Sequence, residues 1–195
     1  MPDQSFRTML SNLEQRGELI RFTKTVDPLT DMAAVEWKAF NEMGKASLFI
    51  NIKGHKNWQA CSQIIADRKK WAIGLDLDEH NILDQMLERM LTPIAPKITH
   101  GSTPVKEIIK TGTDINLYDF PTMLTSEKDG GRYFASGIAI IKDPDTGIRN
   151  LSVHRQMITG KDKTGFIMIP RHARQIYEKY CARGESMPVA MVYGT

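Results

Sequence analysis

The apolar positions in the first half of the chain predict helices that alternate with short strands. Apolar residues recur every three to four positions, as in amphipathic helices, at 6–16, 30–43 and 79–91. Alternating or short apolar runs that predict strands lie between them at 18–26, 46–52 and 58–66. Gly17 and Gly44 are suitable C-terminal stops for the first two helices. The pattern therefore predicts a small α/β unit.

Methionine is prominent on two of these predicted helices. The second helix is expected to turn its apolar stripe inward down to Met43. The third, Glu79–Leu91, carries a stripe built on Ile82, Met86 and Met90. Because methionine is flexible and fills irregular gaps, we expect these side chains to fill a core, with a Met-rich docking surface as the alternative.

The second half of the chain follows the period of two that is typical of strands. Strands are predicted at 136–143, 148–159, 166–169 and 187–193, separated by tight turns at 144–147 and 161–165. A helix is predicted from His172 to Ala182. Proline and glycine breaks between residues 92 and 118 mark a junction. We therefore expect an α+β chain with one domain at residues 1–110 and another at residues 111–195.

Composition and charge exclude several classes of protein. The chain is 41% hydrophobic and 25% charged, with a net charge of +3, and its basic residues are scattered. Nucleic-acid binding is therefore not expected. No apolar run approaches the roughly 20 residues of a membrane helix, and the N-terminal segment MPDQSFRTML lacks the apolar core of a signal peptide. We expect a cytoplasmic protein that does not interact with membranes.

Two further expectations concern cysteine and lysine. Cys61 and Cys181 are far apart and flanked by apolar residues, which predicts buried free thiols in a reducing compartment. The run Arg68-Lys69-Lys70 is interpreted as a solvated helix start.

The largest concentration of candidate functional side chains lies on the long predicted strand, 148–159. Strand side chains alternate, so Asn150, Ser152 and His154 should share one face, opposite Leu151, Val153 and Arg155. The polar row is either a solvated face or the lining of a polar site. Arg155 on the apolar side must extend to solvent or meet a carboxylate. Asn150 and Arg155 can serve one site only if the strand bulges or a ligand wraps its edge.

A second group of candidate residues lies where a strand passes into the helix that starts at His172. Backbone N–H groups at a helix start favour anions, and Arg171 adds a guanidinium suited to phosphate. His172 is either structural or a metal ligand, with Asn150 contributing a carbonyl oxygen. Such a mixed N/O shell beside phosphate suits Mn²⁺ or Mg²⁺.

These motifs resemble the UbiD-type, prenylated-FMN-dependent (de)carboxylases. The resemblance covers essentially the whole chain and includes the opening helix, Asp114–Pro121, the Asp-Gly-Gly-Arg-Tyr stretch at 129–133, and the Asp-Pro-Asp-Thr-Gly hairpin at 143–147. It implies an N-terminal α/β domain followed by the first part of a split β-barrel of the flavin-reductase type. It also implies reversible decarboxylation of aromatic, heteroaromatic or α,β-unsaturated acids, with the modified flavin as electron sink.

The resemblance assigns roles to individual residues. Asn150 and His172 match two ligands of the divalent metal, usually Mn²⁺, and K⁺ is a second candidate ion. Residues 151–155, that is Leu151, Ser152, Val153, His154 and Arg155, match the strand along the cofactor, and Arg171 with His172 matches its phosphate end. Arg155 matches the arginine that holds the substrate carboxylate.

The resemblance also implies partners and a longer chain. A flavin prenyltransferase would supply the cofactor, and members are commonly homo-oligomers. The third metal ligand and the catalytic glutamates of the family lie beyond the point matching Thr195, so we expect the N-terminal portion of a longer chain. The alternatives are a truncated or accessory chain without catalysis and a simple flavin reductase.

Overall fold

The computed structural model describes residues 5–194 and divides them into two compact units. The first comprises the residues up to 27 together with 34–116, and the second comprises 28–33 together with the residues from 117 onward. The domain boundary expected at residues 110 and 111 stays a prediction. The first four residues of the N-terminal segment considered above, and Thr195, lie outside the described residues. Within residues 5–194, no helix has both the length and the apolar character needed to span a bilayer.

The first unit contains a three-stranded sheet, three complete α-helices and most of a fourth. Its elements are α1 Phe6–Gln15, β1 Leu19–Phe22, α2 Met32–Met43, β2 Ala46–Phe49, β3 Ala60–Ser62, α3 Arg68–Leu75 and α4 Ile82–Leu91. The strand order is β1-β2-β3, with β1 parallel and β3 antiparallel to β2. The strand predicted at 58–66 is thus much shorter, because only Ala60–Ser62 pairs with β2.

The core of the first unit lies between this sheet and helices α1 and α3. Leu13, Leu19, Ala46, Leu48 and Ile73 form its buried cluster. The two helices approach closely at Gly74, where an added Cβ would lie 2.6 Å from Cε of Met9. A side chain at this position would therefore require the Met9 side chain to move.

The basic run at the start of α3 is only partly solvated. Asp67 caps the helix by accepting a hydrogen bond from the backbone N–H of Lys70 at 2.8 Å. The side chain of Lys70 is fully buried and donates to the carbonyl oxygen of Gly44 at 2.7 Å. It also pairs with Asp67 and lies 3.6 Å from Glu18. The expectation of a solvated face was wrong for Lys70, because these partners compensate its charge inside the unit.

The predicted apolar stripes are buried only in part. On α2, Met32 and Ala39 are buried as expected, whereas Met43 at the end of the helix is 59% exposed. On α4, Met86 is half-buried, but Met90 is 72% exposed and Leu83 and Leu87 are exposed too, so core filling was the wrong expectation for most of that helix. Among the residues of α4 only Ile82, at its start, is buried, and the later turns of the helix lie on the surface.

The second unit is built on a four-stranded antiparallel sheet with one helix. Its elements are β4 Tyr133–Lys142, β5 Arg149–Gly160, β6 Lys163–Gly165, α5 His172–Ala182 and β7 Val189–Val192. The strand order is β6-β5-β4-β7. The strand predicted at 166–169 is wrong. The partner strand of β5 comes earlier, at Lys163–Gly165, because the turn after Gly160 is short enough for Lys163 to pair with Gly160.

Helix α5 packs against the sheet through apolar contacts and a hydrogen bond. Ala173 and Ile176 join Ile141 in an apolar cluster, and the hydroxyl of Tyr180 donates to the Lys142 carbonyl at 3.1 Å.

Ion pairs connect the later turns of α5 to the β4–β5 hairpin. Lys179 lies 2.6 Å from Asp143 and 3.0 Å from Asp145, and Arg183 also pairs with Asp145. The hydrogen bond from Lys179 lowers the pKa of both carboxyls. The helix is thus tied to the turn that connects β4 and β5.

The two cysteines differ in exposure. Cys61 is half-buried, and burial raises its pKa to about 11. Cys181 is exposed on α5, so the prediction of a buried thiol was wrong there. The inward positions of this helix are Ala173 and Ile176 instead.

Candidate functional site

The candidate residues of strand β5 alternate between two faces of the sheet, which confirms the predicted alternation. Asn150, Ser152 and His154 are half-buried, and their partners on β4 are Ile141, Ala139 and Gly137. Leu151, Val153 and Arg155 are exposed on the opposite face.

The half-buried row is joined by hydrogen bonds. Nδ2 of Asn150 donates to Oγ of Ser152 at 3.3 Å, and Oγ of Ser152 lies 2.9 Å from Nε2 of His154. Among the described residues, the carbonyl oxygen of Asn150 has no hydrogen-bond partner. The row therefore resembles the lining of a polar site more than a solvated face, with one strong acceptor left over.

The row of polar side chains predicted at Asn150, Ser152 and His154 continues to Gln156. Gln156 is buried on the same face and accepts a hydrogen bond from the hydroxyl of Tyr193. The ring of Tyr193 lies 4.5 Å from that of Phe134, and burial raises the pKa of the tyrosine to about 12. Extending the period of two from His154 would have found Gln156, but no local signal identifies Tyr193 as its partner.

The start of helix α5 lies on the same side of the sheet as Asn150. Ile141, the cross-strand partner of Asn150, belongs to the apolar cluster formed with α5. Arg171 is the N-cap of the helix and His172 its first residue, and both are exposed. No side chain caps this helix start. Its N–H groups and the two basic side chains are thus available to an anion.

Arg155 lies on the other face, and of the two expected alternatives it extends to solvent and does not meet a buried carboxylate. That face is exposed, with Leu151 and Val153 at 63% and 68%, so the guanidinium needs no buried carboxylate. Within residues 5–194, Arg155 makes no ion pair.

The pairing of β5 with its neighbours bears on how Asn150 and Arg155 could share a ligand. The register with β4 shifts between Phe134 and Gly137, opposite Arg155, whereas Asn150 to His154 pair regularly with β4. The pairing of β5 with β6 begins only at Met157. From Arg149 to Gln156, the edge of β5 away from β4 therefore has no strand partner in the described part of the chain. A ligand lying across this open edge can reach both faces.

The described residues do not form a complete metal centre. Within residues 5–194, no three His, Cys, Asp or Glu side chains lie close enough together to hold a metal ion. Asn150 and His172 are an amide oxygen and an imidazole, which suit a borderline divalent ion, and Arg171 suits phosphate. The donor set fits part of a metal–phosphate site.

The chain belongs to the 3-octaprenyl-4-hydroxybenzoate carboxy-lyase (UbiD) family. Residues 97–195 match the Rift-related domain of that family, and residues 10–90 match its N-terminal domain. The resemblance inferred from the motifs is thereby confirmed.

Two of the curated relatives that the chain matches are decarboxylases. The chain is 26% identical to anhydromevalonate phosphate decarboxylase of Methanosarcina mazei, over 97% of this chain and 42% of the relative. It is 28% identical to ferulic acid decarboxylase 1 of Saccharomyces cerevisiae, over 99% of this chain and 42% of the relative. The chain therefore spans less than half the length of these relatives.

Solved structures of the same class confirm the α+β fold. The evolved dimeric form of the UbiD-class enzyme HmfF from Pelotomaculum thermopropionicum, in complex with prFMN, matches with a TM-score of 0.90 at 29% identity, over 99% of this chain and 45% of that one. Vanillic acid decarboxylase from Sedimentibacter hydroxybenzoicus in closed form matches with a TM-score of 0.91 at 26% identity, over 100% and 44%. The antiparallel sheet of the second unit is consistent with part of a split barrel.

Proposed function

We propose that this chain carries the N-terminal part of a prenylated-FMN site in a carboxy-lyase. The reaction is the reversible, non-oxidative decarboxylation of an aromatic, heteroaromatic or α,β-unsaturated carboxylic acid. The observation that carries the proposal is the open edge of β5. It separates the face of Asn150, where α5 starts, from the face of Arg155.

One end of this site would hold the metal and the phosphate. Asn150 and His172 would bind a divalent ion, Mn²⁺ in the first place, and K⁺ is a further candidate ion of the site. Arg171 and the uncapped N–H groups of α5 would bind the phosphate that the ion neutralises. The segment from Leu151 to His154 would lie along the flavin.

The other end would hold the substrate. When bound, prenylated FMN supplies the electron sink for cleavage of the bond to the carboxyl carbon. Arg155 would orient the substrate carboxylate through its two parallel N–H donors, and its exposure without an ion pair in the described residues leaves those donors available.

The remaining expectations concern the intact protein. A flavin prenyltransferase would supply the cofactor, and the protein would assemble as a homo-oligomer in the cytoplasm. The relatives support the reaction type, and neither the metal nor the acid follows from them.

The test is to coexpress the intact protein with a flavin prenyltransferase and to measure its visible spectrum, bound manganese and release of carbon dioxide. Expression without the prenyltransferase is the control. A coloured, metal-containing protein that releases carbon dioxide from aromatic or unsaturated acids supports the proposal. A protein that never acquires flavin or metal contradicts it, and one that binds both but converts no such acid favours the accessory role.

A further inference from the structure

Beyond the two proposed metal ligands, Asn150 and His172, we infer that Ser152 and His154 are positioning residues. They fix which end of the Asn150 amide faces the metal. This inference deepens the proposed function and rests on it. It starts from the hydrogen-bonded row on β5, in which the three side chains share one half-buried face.

The two ends of an asparagine side chain are chemically opposite. The carbonyl oxygen can bind a metal ion, whereas the NH₂ group only donates hydrogen bonds and would repel one. The two ends are nearly equal in size, so sterics alone do not select the productive orientation. In the structure Nδ2 lies 3.3 Å from Oγ of Ser152, which leaves the carbonyl oxygen without a hydrogen bond in the described residues.

The direction of the row depends on where the serine proton points. Oγ of Ser152 accepts from Asn150 and can donate its single proton to Nε2 of His154, 2.9 Å away. His154 must then carry its own proton on Nδ1. The opposite tautomer would donate from Nε2 to the serine, whose proton would then favour the carbonyl end of Asn150. The ring of Phe166, centred 5.1 Å from that of His154, helps to hold the imidazole in place.

The first test uses Mn²⁺ affinity in the intact protein with FMN bound, measured by electron paramagnetic resonance titration. Ser152→Ala should weaken Mn²⁺ binding about tenfold, as outer partners of metal ligands do, and Ser152→Thr should restore it because the hydroxyl returns. An Ala variant that binds Mn²⁺ like the wild type would overturn the inference.

Repeating the Ser152 substitution in an Asn150→Asp variant distinguishes an effect on amide orientation from an effect on packing. In Asn150→Asp the two carboxylate oxygens are equivalent, so orientation no longer matters. Adding Ser152→Ala to Asn150→Asp should change Mn²⁺ affinity less than about twofold, because only the orienting role has been removed. A tenfold loss in this background as well would show a packing role and overturn the inference.

The tautomer of His154 provides a readout that needs no metal. Nitrogen-15 NMR of the metal-free protein should show Nδ1 protonated and Nε2 unprotonated, and the reverse assignment would overturn the inference. Failure of the proposed function has a different signature. Asn150→Ala would then leave Mn²⁺ affinity unchanged, whatever the tautomer of His154.

Discussion

Lys70 donates a hydrogen bond from its buried ammonium group to the backbone carbonyl of Gly44 at 2.7 Å. The bond joins the first turn of α3 to the residue that follows α2. Because Glu18 lies 3.6 Å from the same ammonium group, one side chain links three segments of the first unit. The charge is thus a structural element of that unit and not part of a solvated face.

Replacing this lysine should destabilise the chain strongly. Lys70→Met keeps most of the side-chain volume but leaves the Gly44 carbonyl and part of the Glu18 charge without a buried donor. We expect the free energy of unfolding to fall by about 3 kcal/mol, measured by urea denaturation. The control is Lys38→Met, whose exposed pair with Glu42 at 3.8 Å should matter by less than about 1 kcal/mol. Equal losses in the two variants would contradict the structural role of Lys70.

Strand β5 and Lys70 show what the periodicity of the sequence can and cannot predict. Alternation along β5 correctly assigned Asn150 and Arg155 to opposite faces, because strand geometry alone determines it. The burial of Lys70 depends on Gly44 and Glu18, which are distant in sequence. Likewise, the stripe ending at Met90 shows only that one side of α4 is apolar, and not whether anything packs against it.

The candidate site was predictable to a similar extent. The residue types on β5 and at the start of α5 indicated an anion and a divalent ion. Which end of the Asn150 amide is left without a hydrogen bond depends on its contact with Ser152, and which part of the β5 edge is open depends on where the pairing with β6 begins. Both are results of tertiary packing, so no local pattern reports them.

Gly137 should tolerate no side chain. The ring of Tyr193 lies over it so closely that an added Cβ would be 2.6 Å from Cε1 of the tyrosine. Gly137→Ala should therefore displace the ring from Gln156 and lower the free energy of unfolding by about 1–3 kcal/mol in thermal or urea denaturation.

Gly165→Ala is the matched control for this prediction. Its added Cβ would meet Thr159 at 3.8 Å, which is ordinary van der Waals contact. A Gly137→Ala variant as stable as this control would show that Tyr193 can move away without cost.

The ion pairs between α5 and the β4–β5 hairpin predict how stability responds to acid. The pKa values of Asp143 and Asp145 are lowered from 3.8, chiefly by the hydrogen bond from Lys179. As the pH falls past 3.8 toward these lowered values, the unfolded chain therefore binds more protons than the folded one. The stabilisation is present above that pH and is lost as the pH falls toward the lowered values.

The measurement is urea denaturation at several pH values between 5 and 3. Replacing both residues by asparagine should make stability fall less steeply over this range than in the wild type. Asp162→Asn removes an exposed turn carboxylate that makes no ion pair among the described residues, and it should keep the wild-type slope. If the doubly substituted protein also kept that slope, the pairs with Lys179 would not stabilise the fold.

The two ends of the proposed site should respond differently to substitution in the intact protein loaded with cofactor. Asn150→Ala and His172→Ala should each weaken metal binding at least about 100-fold and release the flavin with it, because the ion connects phosphate to protein. Arg155→Ala should retain both metal and flavin but lower turnover about 100-fold or more, because the substrate carboxylate is no longer oriented.

Arg149→Ala is the matched control for Arg155→Ala. Arg149 is an exposed arginine on the same face of β5, and its replacement should leave turnover normal. Metal content, flavin absorbance and carbon dioxide release distinguish the three outcomes, and near-normal turnover of Arg155→Ala would remove the assigned role of this arginine while leaving the metal end untouched.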